Sequence, residues 1–158
     1  MKDFFSIPEA CQKIEYYCKY QERCHNEVLT KLISYKLNRD EIDQVLEYVF
    51  ANDLLNEERF AKAYTRGKHR IKNWGKVRII NELKQRNISQ RIITIALKEI
   101  DEEDYLIFFE KLAERNWETI IERSKPKKQK KFCDYLLRKG YESDLVYRKM
   151  KELEQKTN

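Results

Sequence analysis

The sequence predicts an all-α protein, an elongated array of three tandem three-helix repeats. Three observations carry this. Only 3 Gly and 2 Pro among 158 residues leave little room for turn-rich β structure or flexible linkers. Apolar residues recur three and four apart, the period of an amphipathic helix face. Capping residues stand ahead of those stripes at intervals along the chain. An apolar content of 41% supplies a core, and a charged content of 38% covers solvated faces.

The elements follow in order. Ser6 and Glu9 form a capping-box pattern ahead of a helix over 7–23. A second helix spans 25–37. Asn38 and Glu41 repeat the box ahead of 39–51, where Ile42, Val45, Leu46 and Val49 make one stripe. Helices over 56–73 and 75–87 follow, the latter with Val77, Ile80 and Leu83 on one face. Ser89 caps 89–99, and Asp101 caps 102–123 with its stripe Leu106, Phe109, Leu112 and Ala113. Ser124, with Pro126 in the first turn, opens 126–139, and a last helix spans 141–156.

These nine predicted helices group in threes. Leu29, Ile79 and Phe132 correspond, as do Ile33, Leu83 and Leu136. A base then ends each helix (Lys36, Arg86, Lys139), which complements the negative end of its dipole. The next position is Leu37, Asn87 and Gly140, and Ile42, Ile92 and Leu145 open the following stripe. Asn87 and Gly140 suit the left-handed turn that commonly ends a helix. Leu37 does not, so the first repeat is expected to turn differently. The expected units are 1–55, 56–100 and 101–158. Arrays of this kind expose long faces suited to large partners.

Charge is unevenly placed. Residues 1–58 hold 7 basic and 12 acidic side chains, residues 59–100 hold 12 and 2, and residues 101–158 hold 14 and 13. Between Arg66 and Arg91 stand nine Lys and Arg against a single acid, Glu82. Such a stretch attracts phosphates or an acidic protein surface. The candidate binding residues there are Arg66, Lys68, Arg70, Lys72, Lys76, Arg78, Lys84 and Arg86, with Trp74 in the loop between two basic helices. Lys68 and Lys72, and Arg66 and Arg70, are four apart and form a ridge. A second run, Lys125, Lys127, Lys128, Lys130 and Lys131, has no acid among residues 123–131 and extends the candidate set. Lysines at a helix start oppose its dipole, which favours retention for a partner. Arg59 reaches either Glu57 and Glu58 or the partner, while Phe60 and Tyr64, four apart, share a core face.

Other chemistries find little support. Cys11, Cys18, Cys24 and Cys133 match neither a disulfide framework nor a zinc spacing, and are expected to be reduced core residues. His25 and His69 have no nucleophile pattern around them, and no phosphate-binding glycine loop is present. The acid pairs sit at helix starts, where the dipole accounts for them. The expectation is therefore a protein without catalytic residues, metal or cofactor. Met1 to Ser6 shows no apolar signal segment, and no stretch nears the roughly 20 apolar residues of a membrane span. A cytoplasmic monomer without membrane contact is expected.

One pattern adds a resemblance. Leu54-Leu55, Asn56-Glu57-Glu58, Arg59-Phe60-Ala61 and Tyr64 are followed by Gly75, Arg78-Ile79, Glu82-Leu83, Arg86, Ile88 and then Ile92 to Leu97. This run, together with Tyr20 to Val28, resembles the bacterial RecX family of recombination regulators. The likeness covers about residues 10–100 well and the last 58 weakly. Asn56 replaces a usual acid, and Asn87 and Leu37 stand where that family has glycine. The resemblance implies tandem three-helix units and binding to the RecA recombinase, chiefly its filament on DNA. It further implies restraint of ATP hydrolysis and strand exchange in recombinational repair and the SOS response, without a cofactor. Single- or double-stranded DNA would be a weak, salt-dependent partner. The competing expectation is a helical protein that binds DNA alone, without RecA.

Overall fold

A computed structural model describes residues 5–157, and among these residues all regular structure is helical. The helices are α1 (Ile7–Tyr20), α2 (His25–Ser34), α3 (Arg39–Ala51), α4 (Glu57–Lys72), α5 (Lys76–Gln85), α6 (Gln90–Leu97), α7 (Glu102–Thr119), α8 (Lys125–Lys139) and α9 (Ser143–Thr157).

The caps expected from the sequence do the work of starting these helices. Ser6 Oγ accepts from the Glu9 N–H while the Glu9 carboxylate takes the Ser6 N–H. Asn38, Ser89, Asp101 and Ser124 cap α3, α6, α7 and α8 by the first of these bonds alone, each side-chain oxygen accepting from the N–H three residues on. Asn56, in sequence a departure from the family motif, is a further cap: its Oδ1 accepts from the Arg59 N–H at 2.9 Å. Each such bond satisfies one of the donors a helix start leaves open and contributes about 1 kcal/mol. Several helices stop earlier than expected, α1, α2 and α7 by three or four residues. α1 ends at Tyr20, where Gln21 turns extended, and Arg23 Nε returns to donate to the Tyr17 carbonyl at 3.1 Å. α7 ends at Thr119, and Glu122 instead accepts from the Ser124 N–H.

The chain divides into two compact units. One holds the described residues up to Tyr64 together with Leu83–Ala96; the other holds Thr65–Glu82 together with the described residues from Leu97 on. In the first, α1, α2 and α3 pack on one another around Ala10, Ile14, Val28, Leu32, Val45 and Val49. In the second, α7, α8 and α9 do the same around an aromatic core. There Phe109 and Tyr141 rings stand 5.1 Å apart, and Trp117 meets Phe132 edge-on at 5.4 Å. Burying a side chain of this size contributes about 2–3 kcal/mol, so this aromatic cluster is a large part of what holds that unit.

The repeat is present, with its first register displaced by one residue from the expected one. Leu29 is half-buried and Ile33 is 58% exposed, whereas Val28 and Leu32 are fully buried. The matching positions are Val28, Ile79 and Phe132, then Leu32, Leu83 and Leu136. The left-handed turn falls on Lys36, with φ 59°, as it does on Asn87 at 60° and Gly140 at 99°. Leu37 is therefore not a failed turn residue. It corresponds to Ile88 and Tyr141, the buried residue that follows the turn each time. The series runs on through Val45, Ala96 and Lys149, and through Val49, Ile100 and Leu153, all buried. The slip arose because a leucine and an isoleucine, Leu29 and Ile33, flank the true core pair at the same four-residue spacing.

Candidate functional site

Cations gather in the second unit around Trp74. α4 ends with Asn73 in the left-handed region, φ 62°, and the chain turns back so that the Trp74 N–H donates to the Lys68 carbonyl at 3.1 Å. The Trp74 carbonyl meets Nδ1 of the buried His69 at 2.9 Å. These bonds hold the Trp74 main chain. Lys68 Nζ stands 5.0 Å from its ring and the Arg78 guanidinium 4.1 Å. A cation over an indole face is attracted by the ring quadrupole, by about 0.5–1 kcal/mol at an exposed site. The tryptophan thus holds two positive groups close together.

The end of α8 is fastened to the same loop by backbone contacts. The Gly75 N–H donates to the Lys139 carbonyl at 2.8 Å, and the Val77 N–H donates to the Gly140 carbonyl at 2.9 Å. Arg78 Nη1 donates to the Arg138 carbonyl, Lys139 Nζ to the Lys72 carbonyl, and Tyr141 Oη to the Asn73 carbonyl, each at 3.1 Å. The charged ends of Lys68, Arg78 and Lys139 therefore share this loop, with Lys72 and Arg138 taking part through their carbonyls. Arg138 and Lys139 were not among the candidates from sequence. No local pattern marks them: ahead of the left-handed turn the first repeat has Tyr35, not a base, where the others have Arg86 and Lys139.

The start of α5 is pinned beside this patch. The Lys76 N–H donates to Tyr105 Oη at 3.1 Å, and that hydroxyl donates to Glu142 Oε2 at 2.8 Å. Burial above all pushes the Tyr105 phenol far above its ordinary range, so it stays protonated and keeps both bonds. Lys76 itself lies over the Tyr105 ring, 4.6 Å from its centroid, and pairs with Glu102.

The remaining candidates are spread more widely. Arg70 and Lys72 are exposed on α4, and Lys84 is exposed on α5. Arg66 pairs with Glu99 at 3.0 Å. Arg86 lies near Glu27 at 3.5 Å and over the Tyr64 ring at 4.9 Å. Arg59 is held inside the first unit by Glu22 at 2.7 Å and by Asp53 at 3.1 Å. Burial works against its charge, and those two carboxylates more than offset it. In the lysine run of α8, Lys125 and Lys127 are exposed, Lys128 covers the Trp117 ring at 4.3 Å, Lys130 pairs with Asp134, and Lys131 pairs with Glu122. The run is acid-free in sequence but not in space.

Fold and site together define the class: an all-α repeat protein with a clustered cationic surface. Comparison with known proteins narrows it. The model of the RecX second three-helix domain matches residues 56–97, and that of the RecX third three-helix domain matches residues 109–150. These matches take in α4 to α6 and most of α7 to α9. The chain is 34% identical over 84 residues to the regulatory protein RecX of Finegoldia magna, covering 53% of this chain and 41% of that one. It is 30% identical over 146 residues to that of Lactococcus lactis, covering 90% and 54%, and 31% identical over 124 residues to that of Clostridium perfringens, covering 77% and 58%. The crystal structure of RecX from Lactobacillus salivarius superposes with a TM-score of 0.75 at 26% identity, covering 94% of this chain and 97% of that one. The chain spans about half the length of the curated relatives it matches. It belongs to the RecX family.

Proposed function

We propose that this protein is a regulator that binds the RecA recombinase, chiefly as its filament on DNA, and restrains ATP hydrolysis and strand exchange. Membership of a family named for regulation supports it. The observation that carries it to a surface is the gathering of Lys68 and Arg78 on the Trp74 ring, with Lys139 fastened to the same loop. A surface of this sign attracts phosphates and acidic protein surfaces from a distance. Three tandem units, 1–55, 56–100 and 101–158, acting in the cytoplasm as a monomer, complete the reading. Such a regulator works by occupying the filament and needs no cofactor.

The cluster also favours a second reading, DNA binding independent of RecA. Titration of the protein into single-stranded-DNA-dependent ATP hydrolysis by the cognate RecA separates the two. Inhibition well below one regulator per RecA supports the filament reading. Inhibition only in large excess, relieved by added DNA, replaces it with simple competition for DNA.

A further inference from the structure

The first unit carries a groove unrelated to the Trp74 cluster. It is a cavity of about 760 Å³ along α1 and α2. Its wall is Tyr16 and Tyr20, four apart on α1 and 74% and 73% exposed. Exposed rings of this size at helical spacing contribute nothing to the core, since Ile14 and Cys18 on the same helix fill that role. Tyr17 also lines the groove, and its ring carries the Arg23 guanidinium at 3.7 Å and the Lys31 ammonium at 5.3 Å. Lys13 adds a third cation, and among the described lining residues Glu9 is the one carboxylate. These cations gather here although residues 1–58 as a whole carry 7 basic and 12 acidic side chains. Tyr17 and Lys31 also line an adjoining cavity of about 470 Å³ that runs on to Gln85 and Arg86, where Glu27 is the acidic neighbour. The two together form an elongated path rather than a pocket for a compact ligand.

We propose that this path binds an unpaired nucleic-acid strand, with bases stacked on Tyr16 and Tyr20 and phosphates held by Lys13, Arg23 and Lys31. Flat exposed rings beside a line of cations are the elements of sequence-tolerant single-strand binding. A duplex keeps its bases stacked inside and offers no ring to these tyrosines. An acidic peptide answers the cations but leaves the two exposed rings without a matching surface.

The experiment is fluorescence anisotropy of the full chain with a labelled oligothymidylate and with a labelled duplex, in the absence of RecA. Tyr16→Ala with Tyr20→Ala weakens single-strand binding about tenfold or more, given about 1–3 kcal/mol per stacked base, and leaves duplex binding unchanged. Tyr16→Phe with Tyr20→Phe retains single-strand affinity, because stacking needs the ring and not the hydroxyl. Helical circular dichroism of the alanine variant matches the parent, both side chains being exposed. Unchanged single-strand affinity overturns the proposal, and so does an equal loss for strand and duplex. Loss of a labelled poly-glutamate peptide without loss of the oligonucleotide overturns it in favour of a peptide groove. None of these outcomes bears on the RecA reading, since no RecA is present.

Discussion

Gly75 and Gly140 meet backbone to backbone: a Cβ on Gly75 would stand 2.4 Å from the Gly140 carbonyl oxygen, and one on Gly140 would stand 2.2 Å from the Arg78 Cβ. No real Cβ tolerates such distances, and the atoms in the way of the Gly75 Cβ are main chain, which cannot swing aside. This contact brings Arg138 and Lys139 to the loop that holds Trp74.

Gly75→Ala is therefore expected to destabilise the protein by on the order of 2 kcal/mol or more, the usual scale of forced overpacking. Urea denaturation measures it. Gly67, in the same basic segment, has open space where a Cβ would go, so Gly67→Ala is expected to be neutral or stabilising by about 1 kcal/mol as a glycine leaves a helix interior. Equal destabilisation by both substitutions would refute the close-approach argument.

Lys36 occupies with φ 59° the turn position that Asn87 and Gly140 hold in the other two repeats. A lysine in the left-handed region costs roughly 1 kcal/mol. Lys36→Gly removes that cost at an exposed site and is expected to raise stability by about 0.5–1 kcal/mol. A thermal melt tests it, and a lowered midpoint would place the turn elsewhere.

The fold was legible because its signals are local. Caps at Ser6, Asn38, Ser89, Asp101 and Ser124 and the three-four spacing of core residues depend on near neighbours in the chain, so nine helices could be placed from them. The register of the first repeat was not legible. Leu29 and Ile33 imitate Val28 and Leu32 in type and spacing, and only burial distinguishes them. The candidate cluster was legible in sign but not in membership. Charge along the chain located Lys68, Lys72 and Arg78. Contacts between residues about 60 apart, such as Arg78 with Arg138, brought in partners no local pattern shows. Lys131 pairs with Glu122 nine residues back, and Arg59 with Asp53 and Glu22, six and 37 residues back, all outside the three-four spacing.

Charge reversal on α4 separates the uses of the cationic cluster. Lys68→Glu, Arg70→Glu and Lys72→Glu together are expected to weaken DNA binding at low salt at least about tenfold. The slope of log affinity against log salt should shrink by about 2–3, close to one per lost phosphate contact. Anisotropy across a salt series reads both. If binding to the RecA filament is lost in the same variant, the ridge faces the protein or its DNA together. If only DNA binding is lost, the filament is held by another surface.

Lys149 sits where the other repeats bury Val45 and Ala96, and its side chain is only 2% exposed. It survives there as a charge because Glu110, Glu114 and Glu152 surround the ammonium. Burial disfavours that charge, but the carboxylates outweigh it and hold the lysine protonated above its usual range. The folded-state value being raised, its contribution to stability is complete below the ordinary lysine pKa and is lost as pH climbs through the folded value. Glu152 shows the opposite sign: Lys156 and Lys149 hold its carboxyl below the usual range, so its contribution is present above the ordinary glutamate pKa and is lost as pH falls through the folded value. Lys149→Ala removes both the stem and the charge and is expected to cost about 2–3 kcal/mol, less than for a fully enclosed pair because the three carboxylates are about half exposed. Lys149→Met keeps the packing volume, so its cost should be smaller, about 1 kcal/mol. Denaturation midpoints of both variants between about pH 4 and 11 check this. The variants should lose stability less steeply than the parent at each end of that range, and a parallel profile would show that the cage does not couple folding to pH.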